Sequence, residues 1–404
     1  MGAVAASRSH LVVDYADFDP YFDDDFGHDP GLDHDPFIAF EQDEEEEEGR
    51  ETDGGIDSGA VLANHNRFDA QKAHTRSFKN NVLAYITPWN NHGYDVVKHF
   101  RGKFTHLAPV WYRLTPDHMG GWSLAGAHDV DKAWIKEVTE PVQIDAETTL
   151  KPKLVPRFAF EGLTREDIEG LQGPSGASAQ HLATTITREC TRQGHAGFVL
   201  EFLYSAYTPH FVTHLSRVAR EDNLEFFLVI PPLHPAAQQS LFDATHLAAY
   251  RDLVDGFSLM TYDYTMPGMA DGEGGGPNAP LRWMRENVVR LDPEGAARDK
   301  ILMGLNLYGN SYPVGGTVVA GQYLDVLRKG ELGGGGVNGA VRVRWDADAK
   351  EHVLTYKEIG GEKRDVWYPS LRSVEERVEL ARELGVGMSL WEVGQGLDYW
   401  YELF

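Results

Sequence analysis

Only one cysteine, Cys190, stands in the 404 residues, which excludes an intramolecular disulfide framework and fits a buried helical thiol. The zinc-protease pattern HExxH is absent and the histidines are scattered through expected helices and loops, so no metal site is expected. Neither a GxSxG elbow nor a Cys/His pair offers a nucleophile for acyl chemistry. No apolar run approaches the ~20 residues needed to span a bilayer, which leaves no membrane insertion to expect. "MGAVAASRSHLVVDYADFDPYF" has no long apolar h-region or cleavage site, and Ala6 breaks the myristoylation pattern. Glycosylation triplets are missing too, and taken alone these features favour a cytoplasmic chain. Positive charge is also scarce: no basic patch is visible, which argues against nucleic acid as a partner.

What is abundant is negative charge, unevenly placed. Of a net charge of -25, the first sixty residues hold 19 Asp or Glu against Arg8 and Arg50, which leaves the remainder only mildly acidic. Runs such as "DDDFGHDP" and "DEEEEEGRETDGG" repel themselves and offer little to bury, so residues 1–80 read as a disordered acidic tail. From Asn81 the pattern changes. Eight apolar runs, at 81–87, 104–114, 154–160, 197–203, 224–230, 256–262, 300–308 and 386–392, alternate with amphipathic stretches such as "SAQHLATTITRECTRQG" and "SVEERVELARELG". Continuous apolar strands alternating with helices predict a parallel sheet covered by helices, and eight units predict a (β/α)8 TIM barrel over 81–404. Residues 309–370 alternate like antiparallel strands around one helical stretch, which predicts a small α+β insertion between the seventh and eighth strands. An open doubly wound sheet needs a phosphate-binding glycine turn after its first strand, and "TPWNNHG" is not one.

In a barrel, chemistry is built at the C-terminal ends of the strands. The residues there are Tyr85 and Trp89, Trp111 and Tyr112, Glu161, Glu201, Met260, Tyr262, Asp263 and Tyr264, Asn306 and Tyr308, and Trp391 and Glu392. Aromatic walls with a few carboxyl and amide groups suit sugar rings, whose CH faces stack while their hydroxyls seek hydrogen bonds. Met260 and Tyr85 are equally compatible with capping the barrel core.

"VLAYITPWNNHGYDVVKHFRGKFTHLAPVW", "DGFSLMTYDYT", "GPNAPLRWM", "ILMGLNLYG" and "LARELGVGMSLWEVGQGLDYWY" resemble glycoside hydrolase family 18, the chitinase-like barrels, and within it the chitinase domain-containing protein 1 group, the stabilin-interacting chitinase-like proteins. The resemblance runs from about Phe78 to Phe404. The family's DGxDxDxE motif falls on "AGFVLEFL": its three Asp positions hold Ala196, Val199 and Glu201, and its general acid matches Leu203. Leucine has no proton to give, and loss of a positioned general acid costs ~10²- to 10⁴-fold. The resemblance further implies that Tyr262 contacts the acetamido group, that Trp391 is the floor tryptophan, and that Asp263 is the Asp of MxYD. Alternation puts Val199, Glu201 and Leu203 on the barrel interior, with Glu201 one strand step, ~6.6 Å, deeper than the lost acid.

The expectation is therefore a chitinase-like binder of amino-sugar oligosaccharide or chitin-like glycan, without cofactor. Its expected contacts are Tyr85, Trp89, Trp111, Glu201, Met260, Tyr262, Asp263, Asn306, Trp391 and Glu392. A weak glycosidase using Glu201 and Asp263 is the alternative, and if those two are close and buried they could share a proton. A scaffold whose insertion or tail holds a protein partner is a third reading. By resemblance the location is secreted or lysosomal.

Overall fold

A computed structural model of the chain describes residues 38–40, 56–117, 121–172, 176–235, 237, 240–266, 275–313, 316–332, 341–358 and 360–404. Eight parallel strand positions form a ring. They are Val82–Ile86, His106–Pro109 continuing as Tyr112–Pro116, Lys153–Leu154 continuing as Arg157–Phe160, Gly197–Glu201, Glu225–Ile230, Gly256–Leu259, Ile301–Asn306 and Gly387–Trp391. The eighth strand pairs with both the seventh and the first. The second strand meets the third twice, His106 opposite Lys153 and Tyr112 opposite Phe158, and this closes the barrel.

Two strands expected to be continuous, 104–114 and 154–160, are broken. Pro109 and Pro156 fall at the breaks, and a proline has no N–H to give the ladder. The remaining strands are almost wholly buried, as sheets covered on both faces must be.

The helices follow their apolar stripes. Ala177–Gln193 buries Ala179, Leu182, Ala183, Ile186 and Cys190 and ends at Gly194, whose φ of 74° suits a residue without Cβ. Ser370 caps Leu371–Leu384 at its start and Gly385 closes it. No helix among the described residues is long and apolar enough to cross a membrane.

Between the seventh and eighth strands stands a five-stranded antiparallel sheet with the helix Ala320–Leu332. Its order is Thr317–Val318, Gly309–Tyr312, Lys363–Tyr368, Glu351–Lys357 and Arg342–Asp346. Glu351 fastens this sheet to the barrel. It accepts the backbone N–H groups of Asn278 (3.0 Å) and Ala279 (2.7 Å) and pairs with buried Arg377 at 3.0 Å.

Ordered structure begins earlier than the acidic composition suggests. Asp57 caps the helix Ser58–Asn64, Arg67–Asp69 pairs with Ile38–Phe40, and Phe68, Ala73 and Phe78 enter the core. Ser77 and Phe78 donate their N–H groups to the Phe404 carbonyl. The tail expected through residue 80 is corrected at this end, because apolar side chains resume where the dense carboxylate runs stop and only Asp57 and Asp69 remain before Asn81. Residues 1–37 and 41–55, which carry the acidic runs, lie outside the described residues.

Candidate functional site

The fourth strand ends at Glu201, in register with Ala159 on the third strand and Val229 on the fifth. One step deeper, Arg157 stands opposite Val199 on the same inward set of positions. Its Nε donates to Glu201 Oε2 at 2.5 Å, with the side chains 5% and 19% exposed. The same guanidinium lies over the Trp391 ring, 5.6 Å from its centroid. Tyr85 packs on Trp391 at 5.1 Å and donates its hydroxyl to Ser258 Oγ at 2.9 Å, across the barrel.

A second group stands at the exits of the sixth and seventh strands. Asp263 has a φ of 62°, a left-handed conformation that Asp tolerates better than most residues. Asn278 Oδ1 fixes it by accepting the Asp263 N–H at 2.8 Å. Tyr308 donates its hydroxyl to Asp263 Oδ1. Tyr262 lies against Tyr308 with ring centroids 6.4 Å apart. Gly304 makes room for it, since a Cβ there would stand 2.9 Å from Tyr262 Cε1 and 2.5 Å from the Leu259 carbonyl. Asn306 spends its amide on the Tyr308 carbonyl at 2.7 Å.

Electrostatics tie the two groups together. Burial pushes the Tyr262 phenol well above its usual range, the charges of Asp263 and Glu201 push it further, and Arg157 opposes them. Tyr85 is raised for the same leading reason, with Glu201 raising and Arg157 lowering it. Tyr308 is raised by burial and then by Asp263. These phenols are neutral and unsuited to giving up a proton, and Tyr85 and Tyr308 already donate theirs to Ser258 and Asp263.

Not every expected residue reaches the mouth. Trp111 follows the Pro109 break and turns into the helix layer, where Nε1 donates to Tyr94 at 2.8 Å and the ring meets Trp134. Tyr112 also faces outward, stacked on Phe158 and bonded to Glu189 and His195. Glu392 is fully buried behind the eighth strand, accepting from Asn90 at 2.6 Å and from the Gly394 N–H at 3.0 Å. Burial lifts its carboxyl to about 7 against the pull of those donors and of His92. Glu161 is exposed and faces Arg113 at 3.6 Å.

Met260 is half-buried at the sixth-strand exit, whereas Trp89 on the first-strand exit is 50% exposed. Glu201 has a guanidinium, that of Arg157, as a partner, and Asp263 accepts a phenol, that of Tyr308. Leu203 lies past the strand end, in the exit turn, so strict alternation stops before it.

Two residues were undervalued by sequence reasoning. Arg157 had a visible signal, since an arginine inside the apolar run "LVPRFAF" needs an anion, and Glu201 is that anion. Tyr207 follows the fourth strand and is 53% exposed. His210 and His214 stand one turn apart on the helix Pro209–Glu221, yet no three His, Cys, Asp or Glu among the described residues are placed to hold a metal.

A family model described as Glycosyl hydrolases family 18 matches residues 168–396, a span that includes Glu201, Leu203, Asp263 and Trp391. Among curated proteins, the chain is 26% identical over 230 residues to the cortical fragment-lytic enzyme of Bacillus subtilis, covering 53% of this chain and 50% of that one. The Bacillus anthracis enzyme of the same name is 27% identical over 175 residues, covering 40% of this chain and 37% of its own length. The chain thus spans half or less of these two relatives. Among solved structures, a chitinase from Chromobacterium violaceum superposes with a TM-score of 0.62 at 18% identity, covering 80% of this chain and 98% of that one. A mutant GH18 chitinase from Cycas revoluta in complex with (GlcNAc)4 gives a TM-score of 0.62 at 15% identity, covering 80% and 97%. At these identities the superpositions speak for the fold.

Proposed function

We propose that this chain, which belongs to glycosyl hydrolase family 18, binds neutral amino-sugar oligosaccharides of the chitin type at the mouth of its barrel and does not cut them. One observation carries the reading: where the fourth strand leaves the barrel, the matched acid position is Leu203, and the strand's remaining carboxylate, Glu201, is spent on Arg157. Protonation of a glycosidic oxygen needs a carboxyl within hydrogen-bond reach of that oxygen. A carboxylate already accepting a guanidinium N–H is a poor source of that proton. Aromatic side chains remain at the strand exits, Trp89 and Trp391 among them, which suits stacking against sugar rings.

The motif pattern quoted above favours membership of the chitinase domain-containing protein 1 group and a secretory or lysosomal location. Calorimetric titration with chito-oligosaccharides at millimolar concentration tests the binding reading. Heat and a change in tryptophan fluorescence are expected, with no release of reducing ends on long incubation. Absence of both signals refutes binding; turnover that disappears in Glu201→Gln restores the glycosidase alternative.

A further inference from the structure

The aromatic residues of this barrel fall into two sets with opposite exposure. Trp391, Tyr85, Tyr262 and Tyr308 are each at most 6% exposed, although they stand at the strand ends where a sugar ring would be expected to stack. Trp89 and Tyr207, in contrast, are 50% and 53% exposed, and they follow the first and fourth strands on that same C-terminal face. In the described residues the exposed large apolar side chains are these two and Val289. An indole and a phenol held open to water on this face are amphipathic platforms for CH faces.

What covers Trp391 is visible. Arg157 rises from the third strand, pairs with Glu201 at 2.5 Å and spreads over the Trp391 ring at 5.6 Å, while Tyr85 packs on that indole at 5.1 Å. A guanidinium is flat and stacks on aromatic faces much as a pyranose does. It is also anchored, because moving it away from Trp391 disturbs its contact with Glu201, a carboxylate that is itself largely enclosed.

We propose that Arg157 fills the innermost ring-stacking place of the barrel, so that a glycan is held across the mouth on Trp89 and Tyr207 rather than inserted down onto Trp391. This deepens the glycan-binding reading above and rests on it. The ligand class that follows is an internal stretch of a neutral amino-sugar chain, with no requirement for a free end, since no part of it descends into the barrel. Specificity then comes from the spacing of outer ring faces and not from one deep acetamido pocket.

Calorimetry with chitotetraose on the full chain tests this with three variants. Arg157→Ala opens the Trp391 face; because it leaves Glu201 without its partner, Arg157→Ala/Glu201→Gln is run beside it to remove the stranded charge. Tyr207→Ala removes one outer platform. Affinity is expected to rise about tenfold in the double variant, the scale of one gained aromatic contact, with acrylamide quenching of tryptophan increased before ligand is added. Tyr207→Ala is expected to weaken wild-type binding by about fivefold or more.

Unchanged quenching and affinity in both Arg157 variants overturn the filling of the inner place. Wild-type affinity retained in Tyr207→Ala overturns the outer platform. If wild-type protein gives no heat while the double variant binds, Arg157 does block the site and the proposed function is what fails. If neither binds and quenching is unchanged, both readings fall.

Discussion

Replacing Glu392 by glutamine should change the pH dependence of stability in a calculable way. The Glu392 carboxyl is fully buried and lifted by desolvation from its ordinary 4.5 to about 7. A carboxyl with a raised folded-state pKa keeps its proton longer in the folded chain than in the unfolded one. Stability from this group is therefore highest below about pH 4.5 and is lost as pH rises through about 7. At ~1.36 kcal/mol per unit, the displacement corresponds to about 3 kcal/mol. Glutamine cannot ionise, so Glu392→Gln should gain about 2–3 kcal/mol relative to wild type between about pH 5 and pH 8.

A constant penalty is expected beneath that gain. The carboxylate now accepts from both Asn90 and the Gly394 N–H, whereas an amide turns an NH2 toward one of them. The difference between variant and wild type is the quantity to measure, because the wild-type profile mixes opposite slopes. Burial depresses His195 and His352 to about 4, and a depressed histidine contributes stability above its ordinary 6.5 that is lost as pH falls toward its folded value. Urea unfolding followed by tryptophan fluorescence at several pH values gives the difference directly. A difference that stays constant within about 0.5 kcal/mol across the window refutes a raised Glu392.

Gly126 has a φ of 93°, and a Cβ there would stand 1.7 Å from the Trp111 carbonyl; Gly126→Ala should lower stability by about 3 kcal/mol or more, read from urea midpoints. Arg377→Met leaves Glu351 buried without its cation, so a loss of about 3–5 kcal/mol is expected by the same assay. Glu351→Gln placed on that variant should recover part of the loss; no recovery contradicts the charge explanation. Asp263→Asn keeps a residue that tolerates the left-handed backbone and weakens the acceptor for Tyr308. It should cost about 1 kcal/mol in thermal unfolding, and a cost equal to that of Asp263→Ala argues against the bond from Tyr308.

The barrel is legible in the sequence because strands covered on both faces are written as unbroken apolar runs, and Gly194 and Gly385 punctuate the helices between them. The two prolines were visible, but their effect on register was not. Pro109 ends the alternation that would have aimed Trp111 inward, so an indole assigned to the mouth is found beside Tyr94. Glu392 was misplaced for a related reason: it stands one residue beyond the eighth strand, where alternation no longer applies. Phe68 and Phe78 signalled packing ahead of residue 80, but the neighbouring carboxylate runs dominated the composition. Pairing Arg157 with Glu201 required the shear between strands, since 44 residues separate them in the chain.

Glu351 gives the insertion no independent freedom. It grips Asn278 and Ala279, Asn278 in turn holds the Asp263 N–H, and Tyr264 donates its N–H to the Asn278 carbonyl. Sliding the sheet therefore drags the sixth-strand exit with it, and that side of the mouth behaves as a fixed jaw. Trp89 and Tyr207, after the first and fourth strands, stand in water outside that linkage.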